Sequence, residues 1–288
     1  MERGLENMTY NFTKKVVIVT GGASGIGFMV AKSFSKAGAV VVILGRQINK
    51  LKEAQKEIQK LGYCEIYKAD VSKFNTLKKI YSEIYKKYKR IDVLVNCAGV
   101  YGPIGRFETN DMVLWAEAMN INLLGTAYSC NAVLPLMLKK KSGKIINLSG
   151  GGAVQPFPNF SCYATSKAAV VRFTENLAKE FEDQNIQVNA IAPGAINTLF
   201  LDKVLKAGVK KVGKEFYEKS LQQKKSGGDS AELAAELVLS LCSGKLTGKV
   251  ISAKWDNWQE WNEERVENLN KNSEFTLRRI DNKYFHSK

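Results

Sequence analysis

Short runs of β-branched and other apolar residues alternate along the chain with longer segments of helical periodicity. Strands are predicted at 16–20, 39–44, 64–68, 91–96, 144–148 and 186–191, and helices at 26–36, 48–61, 74–88 and 163–181. Strands that alternate with helices form βαβ units, which build a parallel sheet covered on both faces. The nearly continuous apolar character of 16–19 and 39–44 agrees, because strands buried on both faces need not alternate. The pattern predicts an α/β fold with a doubly wound parallel sheet.

Two regions interrupt the alternation. Residues 195–228 are rich in lysine, and the tail 253–288 carries Trp255, Trp258 and Trp261 among polar residues. On a helix this spacing would align the tryptophans in one stripe, which is too large to stay exposed on a monomer. No repeat or interdomain linker is present. We therefore expect a single domain over 14–252, preceded by an extension (1–13) and followed by an irregular tail.

Composition narrows the chemistry. The five cysteines are scattered without a CxxC pair, which suits reduced thiols, and the only histidine, His286, excludes a histidine-based triad or metal site. The apolar runs assigned to strands are too short to span a bilayer, and the N-terminus has no export signal. A cytoplasmic protein without a membrane partner is expected. The net charge of +15 is spread over many lysines, which favours solvated helix faces over an anion-binding surface, and no nucleic-acid motif accompanies it.

A glycine-rich turn follows the first strand directly. Residues 20–27 read T-G-G-A-S-G-I-G and lead into a predicted helix. Glycines let the backbone approach a pyrophosphate, and the helix N-terminus offers free N–H groups to the phosphates. The turn predicts a nucleotide site, although a plain tight turn would also use glycine.

Tyr163 and Lys167 lie four residues apart at the start of a predicted helix, so their side chains share one face. A free tyrosine, with a pKa of about 10, is a poor base at neutral pH. A neighbouring ammonium should lower that pKa and prepare the phenol to exchange a proton with a substrate oxygen.

These motifs, with others in the same order, resemble the short-chain dehydrogenase/reductase family over residues 14–252. Besides the glycine turn and the Tyr/Lys pair, the family motifs match Asp70-Val71, Asn96-Cys97-Ala98-Gly99, Pro193-Gly194 and Thr198. Cys97 replaces the family's second asparagine. The resemblance implies a Rossmann-type fold, NAD(P)-dependent interconversion of a carbonyl and an alcohol, and a homodimer or homotetramer. The cofactor-binding residues it implies are Thr20, Gly21, Ser24, Gly25, Ile26, Gly27, Arg46, Asp70, Val71, Asn96, Ala98, Gly99, Tyr163, Lys167, Pro193, Gly194, Ile196 and Thr198.

The resemblance also implies a catalytic set of Asn122, Ser149, Tyr163 and Lys167. The family's substrate-orienting serine stands where this chain has Gly150, one residue after Ser149. A one-residue step along a strand reverses side-chain direction. Either the glycine run 150–152 brings Ser149 into the site, or Ser161 takes the role. We expect Ser149.

The end of the second strand should select between NAD and NADP. An acid there would hydrogen-bond the ribose 2′-OH and repel a 2′-phosphate, but the strand ends in Leu44-Gly45-Arg46. The guanidinium could hold the phosphate, or it could stack on adenine in an NAD enzyme. We expect NADP, with NAD as the alternative.

The lysines of 195–228 allow two interpretations: a collar for an anionic substrate, such as a nucleotide-linked sugar, or solvated amphipathic helices. Two functions remain open as well. The chain is an enzyme acting on a small carbonyl or alcohol, or a catalytically weakened NAD(P)-binding sensor or scaffold. The intact Asn122, Tyr163 and Lys167 favour the enzyme.

Overall fold

Seven parallel strands form one sheet in the order β3-β2-β1-β4-β5-β6-β7 in the structure, a computed structural model that describes residues 10–278. The strands are β1 Val16–Thr20, β2 Val40–Gly45, β3 Cys64–Lys68, β4 Val93–Asn96, β5 Gly143–Leu148, β6 Ile186–Ala192 and β7 Val250–Ser252. The α-helices are α1 Gly25–Lys36, α2 Ile48–Gln59, α3 Phe74–Tyr88, α4 Met112–Met119, α5 Gly125–Leu138, α6 Ser161–Glu180, α7 Leu199–Ala207, α8 Val209–Val212, α9 Lys214–Ser226, α10 Ala231–Ser243 and α11 Glu263–Lys271. The predicted doubly wound fold is confirmed.

Helices cover both faces of the sheet. All five residues of β1 are buried, because alternate side chains enter two separate cores. Val17 and Val19 pack with residues of α1, α2 and α10, whereas Val16 and Ile18 pack with residues of α3, α5 and α6. Burial on both faces explains why the strand sequences are apolar throughout.

The order of the strands reverses at β1, which pairs with β2 on one side and with β4 on the other. In such sheets ligands bind outside the carboxyl ends of the strands at this switch point. The glycine turn follows β1 there, and the segment 97–99 follows β4.

Residues 195–228 form the three helices α7, α8 and α9. Their inner faces bury Leu201, Val204 and Val212. The lysines of this region are all exposed: Lys203, Lys206, Lys210, Lys211, Lys214, Lys219, Lys224 and Lys225. The arrangement favours the amphipathic-helix interpretation of the lysine pattern.

The described part of the tail, residues 253–278, contributes to the core, and the predicted tryptophan stripe is wrong. The chain turns at 253–257, so the indoles point to different surroundings: Trp258 is 4% exposed, whereas Trp255 is 76% exposed. Trp261 packs on Phe275 with 5.3 Å between ring centroids. The chain after α11 then returns to the sheet, where the amide of Val250 donates to the carbonyl of Phe275. The tail thereby covers the open edge of β7.

Within residues 10–278, one helical stretch, Met112–Leu138, is long and apolar enough to cross a membrane by length and composition. Half of its most apolar window is buried inside the fold. Cys130 and Met137, which lie on it, belong to the core beside α3.

Candidate active site

The glycines between β1 and the first turn of α1 leave no room for side chains at their own positions. Gly21 has φ +68°, and a Cβ there would lie 2.9 Å from the Cα of Ala98. A Cβ at Gly27 would lie 2.5 Å from the carbonyl oxygen of Gly21. Helix α1 begins after Ser24, whose side chain makes no capping hydrogen bond, so that side chain leaves the first N–H groups of α1 available to an anion.

The segment after β6 lies across from this turn. A Cβ at Gly25 would lie 3.2 Å from Cγ2 of Thr198. Thr198 caps α7 by accepting a hydrogen bond from the amide of Phe200 at 3.3 Å. Gly194 has φ +92°, a conformation that favours glycine. The two predicted cofactor segments therefore face each other over the carboxyl edge of the sheet, with Ile26, Pro193 and Ile196 buried or half-buried around them.

Arg46 and Asp70 follow β2 and β3 at the same edge. Arg46 is exposed, as contact with a ligand requires. Burial opposes ionisation of Asp70, but hydrogen bonds from the amide and hydroxyl of Ser72 at 2.9 and 2.8 Å and the charge of Arg46 lower its pKa. Val71 is largely buried, and its Cγ2 would lie 2.7 Å from a Cβ at Gly125.

The segment after β4 joins the cofactor side to the catalytic side. The amide of Ala98 donates to the hydroxyl of Thr20 at 3.3 Å. Asn96 is buried and donates to Oδ1 of Asn147 at 2.9 Å, so its side chain ties β4 to β5. A Cβ at Gly99 would lie 3.2 Å from Oδ1 of Asn122 and 3.7 Å from Nζ of Lys167.

Asn122 lies in a π-helical turn, Asn120–Leu124, between α4 and α5. Such turns are frequent at functional sites. Its amide nitrogen donates to the carbonyl of Val100 at 2.8 Å and to Oγ of Ser166 at 2.9 Å. Its oxygen accepts from the amide of Val100 at 2.8 Å. Asn122 thus fixes the chain after Gly99 against α6, the helix that carries Tyr163.

Tyr163 and Lys167 lie together near the start of α6. The ammonium of Lys167 lies 5.7 Å from the ring centroid of Tyr163 and donates to the carbonyl of Leu148 at 2.6 Å. Burial lowers the pKa of Lys167 to about 8.

The expectation that the ammonium lowers the pKa of Tyr163 is wrong for this structure. Burial, together with the neighbouring phenol of Tyr101, raises that pKa. The ammonium of Lys167 donates to the carbonyl of Leu148 and not to the phenol, and burial disfavours the charged phenolate. Tyr163 is therefore protonated at neutral pH and suited to donate a proton.

The hydroxyls of the two candidate serines are enclosed by the fold. The Oγ atoms of Ser149 and Ser161 are buried and make no hydrogen bond among the described residues. Gly150, by contrast, adjoins Tyr163: a Cβ at this position would lie 2.3 Å from the phenol oxygen. The structure thus brings Asn122, Tyr163 and Lys167 together, whereas the hydroxyl of Ser149 makes no hydrogen bond to any of them, and its catalytic role stays a prediction.

Aromatic rings form a wall beside Tyr163, which the sequence pattern does not predict. The ring centroid of Tyr101 lies 4.8 Å from that of Tyr163 and 4.6 Å from that of Phe200. Phe160 lies 5.3 Å from Tyr101 and 4.3 Å from Phe157, on which it stacks. These residues come from three separate segments, so no local sequence signal joins them.

The fold is of the doubly wound, nucleotide-binding class. The chain matches the family model described as short chain dehydrogenase over residues 15–207, and it belongs to this family. It is 34% identical over 216 residues to an uncharacterised oxidoreductase of Staphylococcus saprophyticus, covering 74% of this chain and 86% of that protein.

Two solved structures extend the comparison. NAD+-bound xylitol dehydrogenase is similar with a TM-score of 0.77 and 25% identity, over 84% of this chain and 98% of its own. Actinorhodin polyketide ketoreductase with NADPH is similar with a TM-score of 0.77 and 26% identity, over 84% of this chain and 97% of its own. Both nicotinamide cofactors therefore occur on this fold.

Proposed function

We propose that this protein interconverts a small carbonyl compound and its alcohol, with Tyr163 exchanging the proton. The convergence of Asn122, Tyr163 and Lys167 beside a glycine turn at the switch point of the sheet carries this proposal. In the direction of reduction, the protonated phenol donates to the carbonyl oxygen as negative charge develops there. The positive charge of Lys167, next to the ring, stabilises the phenolate that remains.

The residues of the glycine turn fit a dinucleotide cofactor. Close backbone contacts at Gly21 and Gly27 leave no space for side chains, so the backbone itself would meet the pyrophosphate. A nicotinamide cofactor, when bound, supplies or accepts the hydride. Lys167 has three N–H donors and gives one to Leu148, which leaves donors for a ribose hydroxyl.

We propose NADP as the preferred cofactor. Arg46 is exposed directly after β2, and Leu44-Gly45-Arg46 has no acid that would repel a 2′-phosphate. A guanidinium in this position can pair with the phosphate through two hydrogen bonds.

The surroundings of Tyr163 favour a neutral, apolar substrate over an anionic sugar. Tyr101, Phe157, Phe160 and Phe200 pack on or near the catalytic ring. The lysines of α7, α8 and α9 are all exposed, and Lys219 and Lys224 pair with carboxylates of their own region. An apolar wall gains from burying an apolar ring and would leave sugar hydroxyls without partners.

Gly150 supports a second candidate, a weakened enzyme that serves as an NAD(P)-binding sensor or scaffold, because the family's serine is missing there.

For either function we propose a homo-oligomer. An apolar groove of about 400 Å³, lined by Phe74, Tyr128, Leu134 and Phe173 among others, lies between α3, α5 and α6, and such a surface suits a second copy of the chain.

A turnover panel tests the function and the substrate class together. The purified protein is given NADPH or NADH and matched pairs of carbonyl compounds, such as an aryl ketone and the same ketone carrying a carboxylate. We expect oxidation of NADPH with the neutral member and a lower kcat/KM with the anion. Preference for the anionic member would restore the lysine-collar interpretation. Cofactor binding without turnover on any carbonyl would support the sensor.

A further inference from the structure

A side chain at position 150, where the family has its serine, would collide with Tyr163. A Cβ at position 150 would lie 2.3 Å from the phenol oxygen of Tyr163 and 3.1 Å from Cζ of the same ring. The tyrosine therefore occupies the space in which a side chain at 150 would stand. A second donor to the substrate oxygen has to come from elsewhere.

Neither nearby serine is placed to provide it. Ser149 is 2% exposed, and the hydroxyls of both Ser149 and Ser161 are enclosed without a hydrogen-bond partner. A hydroxyl enclosed in this way meets a substrate oxygen only if its side chain or the structure around it moves.

Tyr101 meets the requirements that the serines do not. Its ring is half-buried and stands edge-on to the ring of Tyr163, at 67° and 4.8 Å. Within residues 10–278 its hydroxyl has no hydrogen-bond partner, and it is not among the sealed polar atoms. Burial raises the pKa of Tyr101 to about 12, so the hydroxyl keeps its proton and can donate.

The backbone on both sides of Tyr101 is fixed. Val100 is held through its amide and its carbonyl by Asn122, at 2.8 Å in each case. Gly102 has φ +73°, and a Cβ there would lie 2.8 Å from Cβ of Ala118. A donor held between two such anchors is oriented before the substrate binds. Hydrogen bonds contribute most to catalysis when the donor is oriented in advance in this way.

We propose that Tyr101 is a second catalytic residue, whose hydroxyl donates a hydrogen bond to the substrate oxygen beside Tyr163 and takes the place of the missing serine. The proposal rests on the carbonyl–alcohol function proposed above. Tyr101 keeps its proton throughout, and the proton that reaches the product oxygen still comes from Tyr163. The ring of Tyr101 also forms part of the wall against which an apolar substrate lies.

The test measures Tyr101→Phe beside Ser149→Ala and Ser161→Ala, which probe the two rival donors, and beside Tyr85→Phe as a matched control. Tyr85 is a half-buried tyrosine of α3, and the ammonium of Lys139 lies 5.4 Å from its ring centroid. We expect Tyr101→Phe to lower kcat by about a hundredfold, the effect of losing one oxyanion donor, with the cofactor Kd and the thermal midpoint unchanged. Tyr85→Phe should keep the wild-type kcat, and neither serine variant should lose as much as Tyr101→Phe.

A second measurement separates donation from packing. Replacing Tyr101 by 3,5-difluorotyrosine keeps the ring and the hydroxyl but makes the phenol more acidic. The more acidic phenol is a stronger hydrogen-bond donor, so this variant should keep a kcat at or above the wild-type value while Tyr101→Phe falls. A role in packing alone would give the two variants the same kcat. Equal kcat values in the two variants, or a Tyr101→Phe variant with normal kcat, overturn the proposal, as does a large loss confined to Ser149→Ala. If Tyr163→Phe also keeps normal turnover, the proposed function itself fails, which is a distinct result.

Discussion

Gly150 offers a sharp test of how Tyr163 is held. Restoring the family's serine at this position would place a Cβ 2.3 Å from the phenol oxygen, whereas ordinary contacts of a Cβ begin at 3.4 Å. The phenol would have to move by about 1 Å, and a displacement of that size can cost about a hundredfold in rate. Gly150→Ser should therefore lower kcat by about two orders of magnitude instead of raising it. Crowding should also lower the free energy of unfolding by about 1–3 kcal/mol.

The assay is steady-state reduction of a neutral ketone, with urea unfolding measured in parallel. Gly150→Ala adds the same Cβ without a hydroxyl and should behave like Gly150→Ser. Gly151→Ala is the matched control, because its added Cβ would lie no closer than 3.6 Å to Phe157. A Gly150→Ser variant that is faster than wild type would refute the reasoning, since the serine would then fit beside Tyr163 and take up the family's role.

Two further predictions concern the tail and the cofactor. Trp258→Ala should lower the free energy of unfolding by about 3–5 kcal/mol in denaturant titrations, because the indole is buried and donates to the carbonyl of Ala253 at 3.1 Å. Trp255 is exposed, and Trp255→Ala should change the same free energy by less than about 0.5 kcal/mol. Equal effects of the two substitutions would contradict the packing described. Arg46→Asp should raise the Kd for NADP relative to that for NAD, as measured by fluorescence titration. Lys50→Asp, on the exposed start of α2, should leave the ratio of the two Kd values unchanged. An unaltered ratio in Arg46→Asp would show that Arg46 does not contact the 2′-phosphate.

Much of the fold follows from local sequence. The strands could be predicted because they are short, β-branched and buried on both faces, as the five buried residues of β1 show. The helices in the stretch Met112–Leu138 could not be predicted in this way, since apolar residues lie around much of the helix circumference and Pro135 lies inside α5. The prediction for the tail was wrong for another reason. The spacing of its tryptophans suggested a helix, but the chain turns at 253–257 and buries only Trp258 among the three.

The candidate site also has one part that could be predicted from the sequence and another that could not. Tyr163 and Lys167 share one helix, so their proximity could be predicted from a spacing of four. The part played by Tyr101 could not, because its neighbours Phe160 and Phe200 are distant in sequence and meet only through packing. The shift in the pKa of Tyr163 also depends on burial, which a motif does not encode and which raises that pKa.

The measurement that tests the central claim most directly is turnover by Tyr163→Phe on the best ketone from the panel, with the cofactor Kd determined on the same preparation. The substitution removes one oxygen, which has no hydrogen bond to the described residues, so the fold and cofactor binding should persist. General acid catalysis contributes about 10²–10⁴-fold, and we predict a loss of kcat in that range with the Kd unchanged. A Tyr163→Phe variant with near-normal kcat would contradict the account.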